Sequence, residues 1–180
     1  MKITKTHPNP QIRALTWSAM CLALCLVLPF LTGQIPQVGN ALCPMHLPVL
    51  LAGFLCGPWW ALLTGFSAPL LRHILFSMPP LLTAIAMSFE LAAYGTVSGI
   101  MYRKLPRNLF GTYLALITAM LSGRILWGIV RVIMTGVSGE SFTWAMFLTG
   151  AFTTAIPGIL IQLILIPTLV SALRKANYLE

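Results

Sequence analysis

Residues 14–71 read ALTWSAMCLALCLVLPFLTGQIPQVGNALCPMHLPVLLAGFLCGPWWALLTGFSAPLL, a stretch without a single Asp, Glu, Lys or Arg. The rest of the chain has the same character: 58% of its 180 residues are hydrophobic, 8% are charged, and the mean hydropathy is +0.88. Soluble globular domains carry about 25% charged residues, so a water-facing surface would here be built almost without charge. A signal peptide does not explain this composition, because the apolar character extends along the whole chain. The sequence therefore predicts an all-α integral membrane protein.

Prolines and glycines divide the apolar sequence into spans, because Pro cannot continue a helix. A helix needs about 20 residues to cross a hydrocarbon core of ~30 Å, so the chain has room for roughly six spans and for no sizeable soluble module. We expect a single membrane domain, residues 1–180, that forms a compact bundle of six transmembrane helices with a short second helix. The expected helices cover about 12–32, 46–56, 59–76, 81–102, 110–135 and 150–173, with a loop at 33–45 and an interfacial turn within 141–149.

The basic residues predict the orientation of this bundle. Lys and Arg near the ends of spans are retained on the cytoplasmic side. With six spans, eight of the eleven basic residues fall on one side: Lys2, Lys5, Arg13, Arg103, Lys104, Arg107, Arg174 and Lys175. We therefore expect a multi-pass protein of the cell membrane with both termini in the cytoplasm. The net charge of +8 is explained as a topology signal and needs no nucleic acid.

Ionisable residues inside the spans are the candidates for function. Such a group costs roughly 2.5–3.5 kcal/mol on insertion scales and is normally paired or exposed to a cavity. Arg124, Trp127 and Arg131 recur at i, i+3 and i+7, so they share one face of the fifth helix, with the two guanidinium groups about 10 Å apart. The fourth helix offers Glu90 and, one turn later, Tyr94.

Two interpretations of these charges are open. Glu90 can pair with Arg124 or Arg131 as a structural salt bridge that needs no ligand. One carboxylate cannot, however, neutralise both of these residues and Arg72 as well. A surplus of inward-facing guanidinium groups favours an anionic ligand, most simply a carboxylate.

Two further residues each allow a structural and a functional interpretation. Arg72 lies near the outer end of the third helix, where it can extend to the membrane interface or contact a ligand. His46 lies between Pro44 and Pro48 at the start of the short second helix, either as a polar helix-end residue or as a lid or ligand residue at the mouth of a cavity. Ala19 and Ala23 allow another helix to approach the first one closely, within the bundle or in a partner protein.

Several functions are not supported by any motif. The chain contains no HExxH, no GxSxG and no glycine-rich phosphate loop, so we expect no enzyme. Its four cysteines, Cys21, Cys25, Cys43 and Cys56, form no CxxC pattern. We accordingly expect neither a metal site nor a cofactor.

The chain resembles the substrate-binding S components of energy-coupling factor (ECF) vitamin transporters, and most closely their pantothenate-type branch. The resemblance rests on the six short spans, on Ala19-xxx-Ala23, and on the segments PMHLPVLLAGFLCGP (44–58), SMPP (77–80), FELAAYG (89–95), GRILWG (123–128) and AIPG (155–158). It implies high-affinity capture of a vitamin or related micronutrient from outside, and uptake with a transmembrane coupling protein and two cytoplasmic ATPases.

This resemblance also implies roles for particular residues. The substrate pocket of the family is formed by the outer halves of helices 4 to 6 and the loop after helix 1. The substrate-binding candidates that map there are Arg124, Arg131, Trp127, Glu90, Tyr94, His46 and Arg72. Ala19 and Ala23 match the alanine motif that contacts the coupling protein.

Two other classes of protein stay open on the residues alone. A stand-alone facilitator or channel for a small organic anion would need a continuous polar path, for which the sixth helix offers only Thr153, Thr154 and Gln162. A membrane enzyme would need an acid/base pair near a nucleophile, and only Glu90 with Tyr94 could serve.

Overall fold

The computed structural model describes residues 9–32, 35–137, 142–176 and 178–179, which are helical in nearly every part and contain no strand. The first helix, α1 (Pro10–Val27), continues as a tighter 3₁₀ segment at Leu28–Thr32. The others are α2 (Pro36–Leu42), α3 (His46–Cys56), α4 (Pro58–Phe76), α5 (Leu81–Lys104), α6 (Leu109–Val137), α7 (Trp144–Leu148) and α8 (Ile156–Lys175), with a π-helical turn at Thr149–Thr153 before α8.

Five stretches are long and apolar enough to cross a membrane within the described ranges: Pro10–Thr32, Gln37–Cys56, Leu81–Lys104, Leu109–Val137 and Ile156–Lys175. The 19-residue α4 is not among them, because Arg72 and His73 lower its hydropathy. The protein is thus a helical membrane protein with several apolar spans. A sixth span remains a prediction.

One predicted connection is wrong, and the last long helix begins later than expected. Residues 36–42 were expected in a loop, but they form α2, which begins with Pro36 at its first position and ends at Cys43 in a left-handed conformation. Pro is favoured at the first helical position because its missing N–H needs no partner there. The expected interfacial turn at 141–149 contains the short helix α7, and the last long helix begins at Ile156 rather than at 150. Residues 33–34 and 138–141 lie outside the described ranges.

The centre of the bundle is a tight packing of α4 against α5. A Cβ on Gly65 of α4 would lie 2.4 Å from the carbonyl oxygen of Leu91, and a Cβ on Gly95 of α5 would lie 2.6 Å from the carbonyl oxygen of Ala61. Small residues allow backbones to approach this closely, and van der Waals packing then stabilises the pair inside a membrane. α3 and α6 pack on the other sides of α5, whereas α1 is peripheral and exposes most of its apolar surface.

The basic ends of α5 and α8 lie together with Arg107 at one end of this bundle. The Arg174 guanidinium, at the end of α8, donates a hydrogen bond of 2.7 Å to the carbonyl oxygen of Arg107, which lies between α5 and α6. Arg103 and Lys104 end α5 on the same side. The N-terminal half of α5 and the C-terminal half of α6 therefore lie toward the opposite end, where the candidate site is found.

Candidate functional site

A cavity of about 400 Å³ lies where the N-terminal half of α5 and the C-terminal half of α6 meet α2, the start of α3 and the turn before α8. Six of the seven predicted substrate-binding residues line it: His46, Arg72, Glu90, Arg124, Trp127 and Arg131. They come from α3, α4, α5 and α6, so residues 85 positions apart in the sequence meet in one space. A volume of this size suits a small organic molecule.

Glu90 is the centre of the polar part of this cavity. Its Oε1 atom lies 3.0 Å from Nη1 of Arg124 and 3.3 Å from Nε2 of His46. The three side chains are almost fully buried, with 2%, 5% and 3% of the residue exposed for Glu90, Arg124 and His46. Burying a carboxylate without a partner is costly, so the guanidinium and the imidazole stabilise it in place. The structural salt bridge considered from the sequence is therefore present between Glu90 and Arg124.

Tyr94 lies behind this cluster and not on the cavity wall. It is fully buried, and its ring packs edge-on against the His46 imidazole with centroids 5.1 Å apart. On α6 the ring packs against Gly123, where an added Cβ would clash with it. Tyr94 does not line the cavity, because one helical turn beyond Glu90 the face of α5 is covered by α6, and a contact between Tyr94 and the substrate stays a prediction. Its position supports His46 instead.

Arg131 and Trp127 form an aromatic part of the cavity. The Arg131 guanidinium lies over the Phe142 ring, with 5.9 Å between its carbon and the ring centroid. The Trp127 indole packs on Phe142 at 6.0 Å and on Phe147 at 6.3 Å. No carboxylate of the described ranges pairs with Arg131, since Glu90 is bound by Arg124 and His46. Within those ranges the charge of Arg131 is thus compensated only by the face of an aromatic ring.

Arg72 is held by α1 and by two aromatic rings. It is 3% exposed, and its Nη1 atom donates a hydrogen bond to the carbonyl oxygen of Leu26. Its guanidinium carbon lies 4.9 Å from the centroid of Phe30 and 5.2 Å from that of Phe76. The head group is therefore held inside the bundle, and its position relative to the membrane interface stays a prediction. Arg72 lines the cavity and also connects α4 to the end of α1.

Several lining residues were not predicted. Cys43 contributes its thiol, whose sulfur accepts a contact of 3.7 Å from Nη2 of Arg124. The others are uncharged residues from the 3₁₀ segment, from α2, from the residue before α3, from the segment before α5 and α5 itself, and from the turn before α8: Thr32, Asn40, Met45, Met78, Pro79, Thr83, Met87, Gly150 and Thr154. A neutral residue in an apolar sequence carries no energetic signal of function. Cys43 and Asn40 could have been found only because they lie close to His46 in the sequence.

Ala19 and Ala23 lie away from the cavity. Both are on the exposed side of α1, together with Met20 and Leu24, whereas Cys21 faces the bundle. They are therefore free to contact another helix. No group of three or more His, Cys, Asp or Glu side chains in the described ranges has an arrangement that could hold a metal ion.

The comparisons with known proteins agree with this arrangement. Residues 13–170 match the protein family described as "ECF transporter, substrate-specific component". The fold is similar to that of a solved structure described as the S component of a bacterial ECF transporter. The two chains share 25% sequence identity and superpose with a TM-score of 0.62, over 93% of this chain and 98% of that one. A comparison with curated proteins gave no significant match.

Proposed function

Because this chain belongs to the family of substrate-specific components of ECF transporters, we propose that it is the subunit that captures a small organic anion for an ECF-type importer. Members of this family are substrate-binding subunits of transporters and not enzymes. The proposed substrate is a vitamin or related micronutrient with a carboxylate group, and a pantothenate-like compound is the first candidate. Uptake would then depend on a transmembrane coupling protein and two cytoplasmic ATPases.

The observation that carries this proposal is the surplus of positive charge in the cavity. Arg72, Arg124 and Arg131 contribute three guanidinium groups, and Glu90 is the only carboxylate among the described residues that line the space with them. A guanidinium matches a carboxylate in geometry and can donate two parallel hydrogen bonds to it. An anionic substrate would therefore compensate charge that the described residues leave uncompensated.

Unused hydrogen-bonding groups support a polar ligand as well. The Nδ1 atom of His46 and the Nε atom of Arg124 are buried and have no hydrogen-bond partner among the described residues. Buried polar atoms without a partner are costly, and a bound molecule that pairs with them would remove this cost. Together with the volume of about 400 Å³, this favours a compact ligand with both charged and neutral polar groups.

The position of the cavity supports capture from outside. It lies at the end of the bundle opposite to Arg103, Arg107 and Arg174. If this basic end lies in the cytoplasm, as the positive-inside rule predicts, the cavity occupies the outer half of the membrane. We accordingly propose six spans with both termini in the cytoplasm, α4 being the span with the lowest hydropathy.

The exposed alanines of α1 support a partner protein. Ala19 and Ala23 present a flat surface of small side chains on a helix that is otherwise peripheral to the bundle. Such a surface allows close contact with another helix in the membrane. We propose that the coupling protein binds there, so that binding of the partner and binding of the substrate use different surfaces.

Mass spectrometry of the small molecules that co-purify with the protein tests the proposed function most directly. We expect a carboxylate-containing compound, and the same pure compound should bind the wild type in calorimetry and bind Arg131→Met at least about 30-fold more weakly. Arg107→Met is the matched control, because Arg107 is exposed at the other end of the bundle. A neutral or cationic compound, or equal affinity in both variants, would contradict the proposal. Uptake into liposomes by this chain alone would instead favour a facilitator.

A further inference from the structure

One wall of the cavity is formed by the Trp127 indole and by Gly150, against which the indole rests. A Cβ on Gly150 would lie 2.7 Å from Cη2 of Trp127, and 3.5 and 3.6 Å from Cζ3 and Cζ2. Contacts of Cβ atoms below 3.0 Å are essentially never observed. Any side chain at position 150 would therefore force the indole to move.

The indole also has aromatic neighbours that are not among the residues lining the cavity. Phe142 and Phe147 pack against it, and Phe147 is itself held by Trp144 and Phe152, with ring centroids 5.1 and 6.1 Å apart. A methyl group at position 150 would displace the indole by about 0.7 Å, the difference between 2.7 Å and an ordinary contact of 3.4 Å. Since the indole lines the cavity, this displacement would change the shape of the cavity wall.

The backbone conformation places Gly150 on this wall. Residues Thr149–Thr153 form a π-helical turn, in which the Thr154 N–H donates to the carbonyl oxygen of Thr149 at 3.0 Å. Gly150 and Thr154 both line the cavity. π-Helical turns are rare and occur often at functional sites, where the wider turn changes which residues face a ligand.

We propose that Gly150 is a specificity-determining residue: its missing side chain fixes the depth of Trp127 and thereby the largest anion that the cavity admits. The inference rests on the proposed function, because it assumes that the cavity holds a ligand. Gly150 lies outside the charged cluster, and it affects ligand binding through the size of the cavity and not through its charge. Trp127 touches the ligand, and Gly150 positions Trp127.

Thiol labelling of Cys43 measures the size of the cavity without knowledge of its natural ligand. Cys43 lines the cavity, whereas Cys21, Cys25 and Cys56 do not. Two anionic reagents of different size are used on the full-length chain: sulfonatoethyl methanethiosulfonate as the small one and a stilbene-disulfonate maleimide as the bulky one. Peptide mass spectrometry gives the rate of modification at Cys43. The variants are Gly150→Ala, Trp127→Phe and their combination, and Gly136→Ala is the control, since a Cβ there has no neighbour within 4 Å.

We expect Gly150→Ala to slow the bulky reagent at Cys43 at least about tenfold and the small one less than about threefold, because overpacking narrows the cavity without closing it. Phe lacks the ring atoms that a methyl group at position 150 would meet, so in the Trp127→Phe background the same change should alter either rate by less than about twofold. Gly136→Ala should match the wild type, and a single symmetric peak in size-exclusion chromatography shows that each variant is folded.

Three results would overturn the inference. The first is that Cys43 of Gly150→Ala is modified at the wild-type rates, and the second is that Gly150→Ala slows the bulky reagent as much in the Trp127→Phe background as in the wild type. The third is that neither reagent labels Cys43 of the wild type. Calorimetry with D-pantothenate and with any compound that co-purifies separates this inference from the proposed function. If the wild type binds such a compound and Gly150→Ala binds it equally well, only the inference fails. If nothing binds the wild type but the labelling rates change as expected, the proposed function fails and the geometric role of Gly150 is retained.

Discussion

Breaking the buried ion pair between Glu90 and Arg124 should destabilise the protein far more than removing both charges together. Oε1 of Glu90 lies 3.0 Å from Nη1 of Arg124 and 3.3 Å from Nε2 of His46, and these side chains are almost inaccessible to solvent. At 3.0 Å and an effective dielectric constant of about 20, the gross Coulomb attraction is about 5 kcal/mol. Glu90→Gln leaves the Arg124 guanidinium buried without a counter-charge. Changes of this kind lower the free energy of unfolding by about 3–5 kcal/mol.

The paired change Glu90→Gln with Arg124→Met removes both charges, so that no desolvated charge is left unpaired. Replacing a buried pair by uncharged groups of similar volume often changes the stability little. We therefore expect the free energy of unfolding to fall by less than about 1.5 kcal/mol. For a chain of this size 1 kcal/mol corresponds to about 2–4 °C in melting temperature. The single change should therefore lower the melting temperature by about 6–20 °C, and the paired change by less than about 6 °C.

Thermal unfolding of the purified protein in one detergent, followed by size-exclusion chromatography after heating, measures these differences. Arg107→Met is the control, because it removes a charge of the same kind from an exposed position. The reasoning would be refuted if Glu90→Gln melted with the wild type, or if the paired variant melted as early as the single one. In the first case the carboxylate does not stabilise Arg124, and in the second the damage comes from lost packing and not from charge.

Three further predictions concern the ligand, the partner and the orientation. Arg131→Lys keeps the charge but not the planar pair of donors. Calorimetry with the co-purifying carboxylate should therefore show an affinity at least about 30-fold lower. An undiminished affinity would argue against a carboxylate at this position. Ala19→Leu or Ala23→Leu should impair uptake by the complete transporter but leave binding intact, with Ala145→Leu, also at an exposed position, as the control. A cysteine introduced in place of Arg107, with modification read at that position by peptide mass spectrometry, should react with an impermeant maleimide only from the cytoplasmic side; modification of position 107 from outside alone would reverse the proposed orientation.

The helices were predictable where Pro and Gly mark their ends. The structure places α3 at His46–Cys56, the range expected from the sequence, and begins α4 at Pro58, because Gly57 has a φ of +84° that interrupts the backbone between them. The helix α2 was missed because seven residues are too few for a periodic pattern. Its position depends on α8, where a Cβ on Gly158 would lie 2.8 Å from the carbonyl oxygen of Ala41. Such a tertiary contact cannot be predicted from the local sequence.

The candidate site was predictable to the extent that its residues are charged. Glu90, Arg124 and Arg131 stand out because a charge within an apolar helix needs a compensating partner or cavity. Cys43 and Gly150 have no such penalty, and they reach the cavity only through α2 and the π-helical turn before α8. Tyr94 lies outside the cavity lining for a related reason: the spacing from Glu90 predicts a common face of α5, but only packing decides how far along that face the cavity extends.

The partners of the three cavity arginines differ, and this difference indicates where an anion would bind. Arg124 is paired with Glu90, and Arg72 donates to the Leu26 carbonyl and lies between two phenyl rings. Arg131 has only the Phe142 ring among the described residues, and its Nε atom is buried without a hydrogen-bond partner there. A ligand carboxylate at Arg124 or Arg72 would have to compete with groups already bound there, whereas at Arg131 it would add a hydrogen bond and a counter-charge without displacing either. For the proposed anionic ligand we therefore expect the charged end at Arg131, beside Trp127, and the neutral polar groups toward His46 and Arg124.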